Sequence, residues 1–188
     1  MSRKIFIISG PAGVGKSTTA QLFSEKLKKS AYISGDTVSH MSVAGREKPW
    51  ESQYANKLVW KNIKDLTNNF LEYGCDVVID WIIFWNDIKQ YIFDWLDQEI
   101  EIRYVILWAE ENVHVERDRQ RPEEIQMGER VLILRDEFLN SYAPLRFFLD
   151  NTTTDIDNII DMIQSDSGFM LSKADIDERA NLNENSYL

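Results

Sequence analysis

A glycine-rich segment early in the chain carries the residue types best suited to chemistry. It runs Gly10-Pro-Ala-Gly-Val-Gly-Lys-Ser17, between an apolar stretch and a helical pattern. Its glycines let successive backbone N–H groups point into one concavity, where a polyphosphate can replace water as their partner. The spacing predicts a phosphate-binding loop rather than a plain strand-to-helix turn. The residues expected to touch the polyphosphate are Gly10, Pro11, Ala12, Gly13, Val14, Gly15, Lys16, Ser17 and Thr18.

Two side chains of this loop have separate tasks. Lys16 is expected to reach the β- and γ-phosphates as a mobile cation. The hydroxyl of Ser17 is expected to ligate Mg²⁺, which prefers hard oxygen ligands. The helix that begins near Lys16 adds its positive dipole end, which supports the same anion.

Carboxylates follow two of the predicted strands. In an open parallel sheet, ligands bind outside the carboxyl ends of the strands. Asp80 ends an apolar strand and is expected to hold the magnesium ion through its water shell, with a turn-capping role as the alternative. Asp36 is expected to accept the proton of an attacking hydroxyl or to hold that hydroxyl in line. The alternative for Asp36 is an N-cap for a helix beginning at Thr37.

Three further residues are weaker candidates for binding the second substrate. His40 lies one helical turn past Asp36, so it either shares that face or is a surface histidine. Arg46 lies in a glycine-containing loop where it can hold an anion. Trp81 follows Asp80 directly, and its ring either stacks on a flat substrate or belongs to the core.

An arginine-rich segment ends at Pro122. At helical spacing Arg117 and Arg121 share one face, whereas Arg119 points roughly the opposite way. Two guanidinium groups over a triphosphate would supply the fixed positive charge that phosphoryl transfer requires. The alternative is a solvated helix in which arginines pair with neighbouring glutamates. Weaker candidates of the same kind are Arg130 and Arg135.

Strand-like and helix-like segments alternate along the chain. Short apolar segments predict strands, three- and four-residue spacing of apolar side chains predicts helices, and Thr154 is positioned to cap the last helix. This order predicts an α/β fold whose parallel sheet is covered on both faces. We expect one domain over residues 1–171 and a polar C-terminal tail over 172–188. The predicted strands are 4–9, 31–34, 76–80, 103–109 and 146–150, and the helices are about 16–28, 50–73, 86–96, 110–121, 126–140 and 154–163.

Composition narrows the classes of protein further. The chain has 188 residues, 44% of them hydrophobic, which is enough for one well-buried core. A formal net charge of -10 disfavours nucleic acid as a partner but allows a small anionic ligand, which is affected only by local charge. Cys75 is the single cysteine, as expected of a protein in a reducing cytoplasm. Hydropathy predicts neither secretion nor membrane insertion, and the composition sets no oligomeric state.

The glycine-rich loop, Gly35-Asp36, Asp80 and the segment Arg117 to Pro122 together resemble the small P-loop kinases. That group includes adenylate, shikimate and gluconate kinases and chloramphenicol phosphotransferase, and the likeness spans most of residues 3–165. The sequence is most similar to uncharacterised, gluconate-kinase-like bacillar members. The resemblance implies a three-layer P-loop NTPase fold with a five-stranded sheet in the order 2-3-1-4-5, a small arginine lid, and ATP with Mg²⁺ as cofactors.

Carried over by position, the resemblance gives each candidate a role. Lys16 and Ser17 take the phosphate and metal roles, Asp36 the base or substrate-holding role, and Arg117 and Arg121 the lid role. We therefore expect an ATP-dependent phosphotransferase that acts on a hydroxyl of a small molecule. The alternative is an ATP-binding switch or slow ATPase that regulates a partner.

Overall fold

The computed structural model describes residues 3–98 and 100–176. Strands and helices alternate along most of this range, and four short 3₁₀ turns connect some of them. The strands are β1 (Lys4–Ser9), β2 (Ser30–Ser34), β3 (Asp76–Asp80), β4 (Glu101–Trp108), β5 (Phe148–Asp150) and β6 (Met170–Leu171). The helices are α1 (Lys16–Lys26), α2 (Gly35–His40), α3 (Gln53–Glu72), α4 (Ile88–Asp97), α5 (Glu111–Arg119), α6 (Arg130–Leu139) and α7 (Ile156–Ser165).

The sheet has the strand order β2-β3-β1-β4-β5, with every one of these neighbours parallel. This confirms the expected α/β class and the order 2-3-1-4-5. The additional strand β6 pairs antiparallel with β4 through Ile102 and Leu171, which sequence analysis did not predict. A strand of two residues is too short to show an alternating pattern, and its pairing depends on the tertiary fold.

The core lies on both faces of the sheet. In β1, Ile5 and Ile7 belong to one hydrophobic cluster, and Phe6 and Ile8 belong to the other. Such alternation follows from the two-residue period of a strand, so a central strand that is apolar throughout needs cover on both sides. The first cluster is completed by apolar residues of α3 and α4, and the second by those of α1 and α7. Three layers result.

Helix ends follow recognisable local chemistry. Gly74, with φ of +87°, follows α3, and the N–H groups of Gly74 and Cys75 donate to the carbonyls of Leu71 and Phe70. These two hydrogen bonds form the Schellman motif that a glycine at this position predicts. The predicted cap at Thr154 is wrong, because the carboxylate of Asp155 caps α7 by accepting the N–H groups of residues 157 and 158.

The possible role of Asp36 as N-cap of a helix beginning at Thr37 also needs correction. A short helix, α2, follows β2 without a loop, and the Ser34 hydroxyl caps it by accepting the N–H of Thr37 at 3.3 Å. Asp36 therefore lies inside the first turn of α2 and is not its cap. The predicted strand 146–150 is shorter than expected, because a 3₁₀ turn after Pro144 includes Leu145–Phe147.

The C-terminal part of the described chain contacts the domain. Ile176 is buried in the core, and Asp175 pairs with Arg146. The predicted tail, 172–188, falls within the described residues only as far as 176, and its remainder lies outside them. Among residues 3–98 and 100–176, none of the helices is both long enough and apolar enough to cross a bilayer.

Candidate active site

The glycine-rich loop joins β1 to α1 at the carboxyl edge of the sheet. Gly10, Gly13 and Gly15 have φ values of +132°, +85° and +106°, in the region that favours glycine. A Cβ at Gly10 would lie 2.5 Å from the carbonyl oxygen of Leu107 in β4, so the loop passes too close to the sheet for any other residue. Gly15 is the N-cap of α1, so the first N–H groups of that helix open onto the loop.

Lys16 is the first residue of α1, and its ammonium group reaches back across the loop. It donates to the carbonyl of Pro11 at 2.9 Å. Burial lowers the pKa of Lys16, the carboxylates of Asp80 and Asp36 oppose this, and Arg121 lowers it further. Since these charges act on one ammonium group, the structure brings together side chains from β3, α2 and the segment after α5. A bound phosphate would supply the negative charge that favours protonated Lys16.

Asp80 ends β3 and is 4% exposed. Burial raises its pKa, while the charge of Lys16 and hydrogen bonds from Ser17 and Tyr32 oppose the rise. The Tyr32 hydroxyl donates to Oδ2 of Asp80 at 3.1 Å. Burial and the Asp80 carboxylate raise the pKa of Tyr32 to about 12, so this phenol remains a donor at neutral pH. Asp80 therefore lies beside Ser17, as the predicted metal site requires.

Asp36 is exposed on the first turn of α2, and its carboxylate acts on both Lys16 and Asp80. The absence of a side chain at Gly35 lets α2 pack closely against Trp81, since a Cβ on Gly35 would lie 2.3 Å from the indole ring. Trp81 is 8% exposed and belongs to the core cluster. The structure therefore does not support stacking of Trp81 on a substrate, because the ring packs beneath α2, where it supports Asp36.

His40 and Arg46 lie near the end of α2. The Nδ1 atom of His40 is 2.7 Å from the backbone oxygen of Asp36, so the ring contacts the main chain of Asp36. Arg46 donates to the carbonyl of Ser39 at 3.2 Å and to its hydroxyl at 3.0 Å. The guanidinium of Arg46 thus fastens the loop after α2 to the helix, whereas His40 is exposed beside Asp36.

Arg117 contacts the loop after β5. It donates to the side-chain and backbone oxygens of Asn151, both at 2.9 Å, and to the Thr152 carbonyl at 3.2 Å. The side-chain amide of Asn151 donates in turn to the carbonyl of Val14 at 2.9 Å. In this structure Arg117 therefore braces the phosphate-binding loop through Asn151, which differs from its expected place over the phosphates.

Arg121 is the arginine that lies near Lys16. Its guanidinium donates to Oδ1 of Asp118 at 3.1 Å. The other oxygen of Asp118 accepts the N–H groups of Met127 and Gly128, each at 2.9 Å. One buried carboxylate thus orients Arg121 and holds the segment after it, which fits a lid role for Arg121. Arg119 is exposed, in agreement with the solvated alternative.

Sequence reasoning missed three side chains of this site: Tyr32, His114 and Asp118. His114 and Asp118 are four residues apart on α5, and a Cβ on Gly13 would lie 3.5 Å from Nε2 of the first and 3.3 Å from Oδ1 of the second. The sequence offered one signal for the last two, because residues four apart on a helix share a face. Their spacing therefore indicates that both polar side chains point the same way.

Comparison with known families agrees with this geometry. The family described as AAA domain matches residues 5–142, which include the loop, Asp36, Asp80 and the arginine segment. The chain belongs to this family. No curated protein matches the chain.

Solved structures show which relatives share the fold of this AAA-domain protein. The tunicamycin resistance protein of Deinococcus radiodurans has 19% identity and a TM-score of 0.62, covering 90% of this chain and 98% of its own. A gluconokinase from Sinorhizobium meliloti has 17% identity and a TM-score of 0.58, covering 98% and 95%. APS kinase of Mycobacterium tuberculosis, in complex with AMPPNP and APS, has 18% identity and a TM-score of 0.64, covering 87% and 96%. The protein therefore has the fold of the small P-loop kinases, whereas the likeness to bacillar proteins stays a prediction.

Proposed function

We propose that the protein is an ATP-dependent phosphotransferase that moves the γ-phosphoryl group of ATP to a hydroxyl of a small molecule. The observation that carries the proposal is the convergence on Lys16. The phosphate-binding loop, two carboxylates and one arginine all act on its ammonium group. A site that neutralises phosphate charge and also holds carboxylates nearby can bind a triphosphate and activate a hydroxyl.

Each residue has a role in that reaction. The loop N–H groups and Lys16 would hold the β- and γ-phosphates, and Arg121 would offset the charge that spreads over the γ-oxygens. The acceptor oxygen forms a bond to the γ-phosphorus while the bond from that phosphorus to the β–γ bridging oxygen breaks and ADP leaves. Asp36 would orient the acceptor hydroxyl and take its proton.

Ser17 and Asp80 are suited to hold Mg²⁺. A hydroxyl and a buried carboxylate are hard oxygen donors, and the Asp80 carboxylate lies beside Ser17. Magnesium supplies charge neutralisation of the phosphates when it is bound. The Tyr32 hydroxyl orients Asp80 through its 3.1 Å hydrogen bond.

The proposed acceptor class rests on the net charge of the chain and on the proteins that share its fold. A small molecule fits a chain of net charge -10 better than a nucleic acid does, since a polyanionic backbone would be repelled. Kinases and a tunicamycin resistance protein share this fold, so sugars, nucleosides and hydroxyl-bearing antibiotics are the compounds to test first. The cytoplasm, where ATP is made, is its proposed location.

The test is a screen for ADP formation with Mg²⁺ and ATP, with and without each compound of such a panel. We expect one compound class to raise turnover and to gain a phosphoryl group by mass spectrometry. Lys16→Ala should reduce that turnover more than about 100-fold, because it removes the positive charge that would contact the transferred phosphoryl group. An ATP-binding switch predicts the opposite pattern, in which nucleotide binds while turnover stays slow and independent of every compound.

A further inference from the structure

His114 is a fully buried imidazole that the proposed phosphoryl transfer does not use. It lies on α5 and touches the phosphate-binding loop with one nitrogen and α6 with the other. Its Nε2 is 2.6 Å from the carbonyl oxygen of Ala12, and its Nδ1 is 3.2 Å from Nη1 of Arg135. The imidazole therefore joins the phosphate-binding loop to a helix that is distant in sequence.

These two contacts fix the tautomer of His114. A guanidinium group donates hydrogen bonds and accepts none, so Nδ1 must be unprotonated to accept from Arg135. In the neutral ring the proton then lies on Nε2, which donates to the Ala12 carbonyl. Protonation of Nδ1 would set a second N–H against the guanidinium.

The surroundings of the ring also favour its neutral form. Burial is the main cause that lowers the pKa of His114, and Arg135 from α6 and Lys16 from α1 lower it further. The Ala12 carbonyl and Asp118 on α5 act in the opposite direction. The charged groups that face the imidazole are thus two cations from neighbouring helices and one carboxylate from its own helix.

Arg135 is itself held in place. Its Nη1 donates to the carbonyl of Ala109 at 2.7 Å, and its guanidinium lies 4.4 Å from the ring centroid of Trp108. Both partners lie at the end of β4, whose neighbour β1 leads into the loop. The Ala12 carbonyl is thus connected through His114 and Arg135 to the rigid sheet.

We propose that His114 is a positioning residue of the phosphate-binding loop. Its neutral Nε2–H tautomer links Ala12 to Arg135 and thereby holds the loop in the form that receives ATP. The inference rests on the proposed function, because it assigns the loop a triphosphate to hold. It adds a regulatory consequence, since protonation of His114 breaks the link to Arg135. Nucleotide affinity should then fall as the solution becomes acidic.

The first test needs no nucleotide and so stands apart from the proposed function. The chain has two histidines, so the full-length variant His40→Gln leaves one imidazole to observe by ¹⁵N NMR. We expect the shifts of a neutral Nε2–H ring that persists below the ordinary histidine pKa of 6.5. A ring with its proton on Nδ1, or a titration at the ordinary value, would overturn the inference.

The second test compares two amide substitutions by calorimetric titration with Mg²⁺ and ATP. The glutamine amide of His114→Gln can reach the place of Nε2 and donate to Ala12, whereas the shorter amide of His114→Asn reaches only the side of Arg135. We expect the affinity of His114→Gln for ATP to stay within about threefold of wild type. His114→Asn should lose about tenfold, because it lacks the buried hydrogen bond to Ala12. Equal loss in both variants would show that His114 serves packing alone and would overturn the inference.

A pH series separates His114 from the phosphates of ATP, which titrate in the same range. Over the pH range in which NMR shows His114 taking up its second proton, the ratio of wild-type to His114→Gln affinity should fall by up to about threefold toward the acid side. A ratio that is constant with pH would contradict the proposed switch. Absence of binding by the wild-type protein at all pH values would instead refute the proposed function, and the NMR result would still decide the tautomer.

Discussion

Asp80 illustrates how a residue needed for metal binding reduces stability. Burial raises its pKa above the ordinary 3.8, so the folded state disfavours the charge that this carboxylate carries at neutral pH. A group with a raised folded pKa stabilises the fold below its ordinary pKa, and that contribution is lost as the pH rises through the folded value. A neutral amide in place of the carboxylate does not ionise, so it does not lose stability as the pH rises.

We therefore expect Asp80→Asn to unfold at higher denaturant concentration than wild type in the absence of magnesium. The difference in unfolding free energy should be largest near neutral pH and should shrink as the pH falls toward 3.8, because wild-type Asp80 is then protonated as well. Urea titrations over this pH range measure it. The exposed Asp65→Asn is the matched control and should change stability by less than about 0.5 kcal/mol. Lower stability of Asp80→Asn at neutral pH would contradict the account.

The prediction for Asp36 concerns catalytic activity, whereas that for Asp80 concerns stability. Because its side chain is exposed and faces Lys16 without belonging to the loop, Asp36→Asn should keep ATP affinity within about threefold. Its kcat for the acceptor found in the screen should fall at least about 100-fold, as loss of a general base implies. Calorimetry and steady-state kinetics on one preparation separate the two effects. Unimpaired turnover would remove Asp36 from the proposed mechanism.

At this scale the sequence predicts residues whose roles depend on near neighbours. The loop glycines, Lys16 and Ser17 follow from an eight-residue spacing. The role of Arg117 does not, because its partner Asn151 lies 34 residues away along the chain. A guanidinium group can donate to phosphate oxygens and to backbone carbonyls alike, so only the tertiary arrangement shows which oxygens it contacts.

The short helix α2 is the element that positions Asp36. Gly35 is its first residue, and any Cβ there would overlap the Trp81 ring at 2.3 Å. The ring is buried in the core and has little room to move. The contact therefore fixes how far α2 lies from β3 and the loop.

We expect Gly35→Ala to reduce the free energy of unfolding by about 1–3 kcal/mol, as overpacking does in a well-packed core. The double variant Gly35→Ala with Trp81→Leu should recover part of the stability lost, relative to Trp81→Leu alone. Denaturant titrations of the four proteins form a double-mutant cycle. Gly168→Ala is the control, because the nearest atom to its Cβ belongs to the flexible side chain of Asp166. Additive effects of the two changes would contradict the proposed contact.

Elements with a long periodic or apolar pattern are predictable from the sequence. Strands β1 and β3 have the predicted bounds, and α3 ends at the glycine that its pattern indicates. By contrast, α2 has six residues and β6 has two, so neither shows enough of a period. The choice of Asp155 over Thr154 as cap is a local competition in which the carboxylate accepts two N–H groups.

The whole molecule brings the site together through its topology. Parallel strands place their carboxyl ends at one edge, so the segments after β1, β2 and β3 meet there although they are far apart in sequence. This part of the site could be predicted from the order of the elements. The bracing by His114, Arg117 and Asp118 could not, because it depends on how α5 packs against the loop.

The most direct test of the account is a calorimetric titration of the full chain with ATP in the presence of Mg²⁺. We expect a single site per chain, lost or weakened more than about 100-fold in Lys16→Ala, because that variant removes the cation that faces the phosphates. The exposed Lys28→Ala should bind as wild type does. No heat of binding in the wild-type protein, or equal affinity in Lys16→Ala, would contradict the assignment of the glycine-rich loop to ATP.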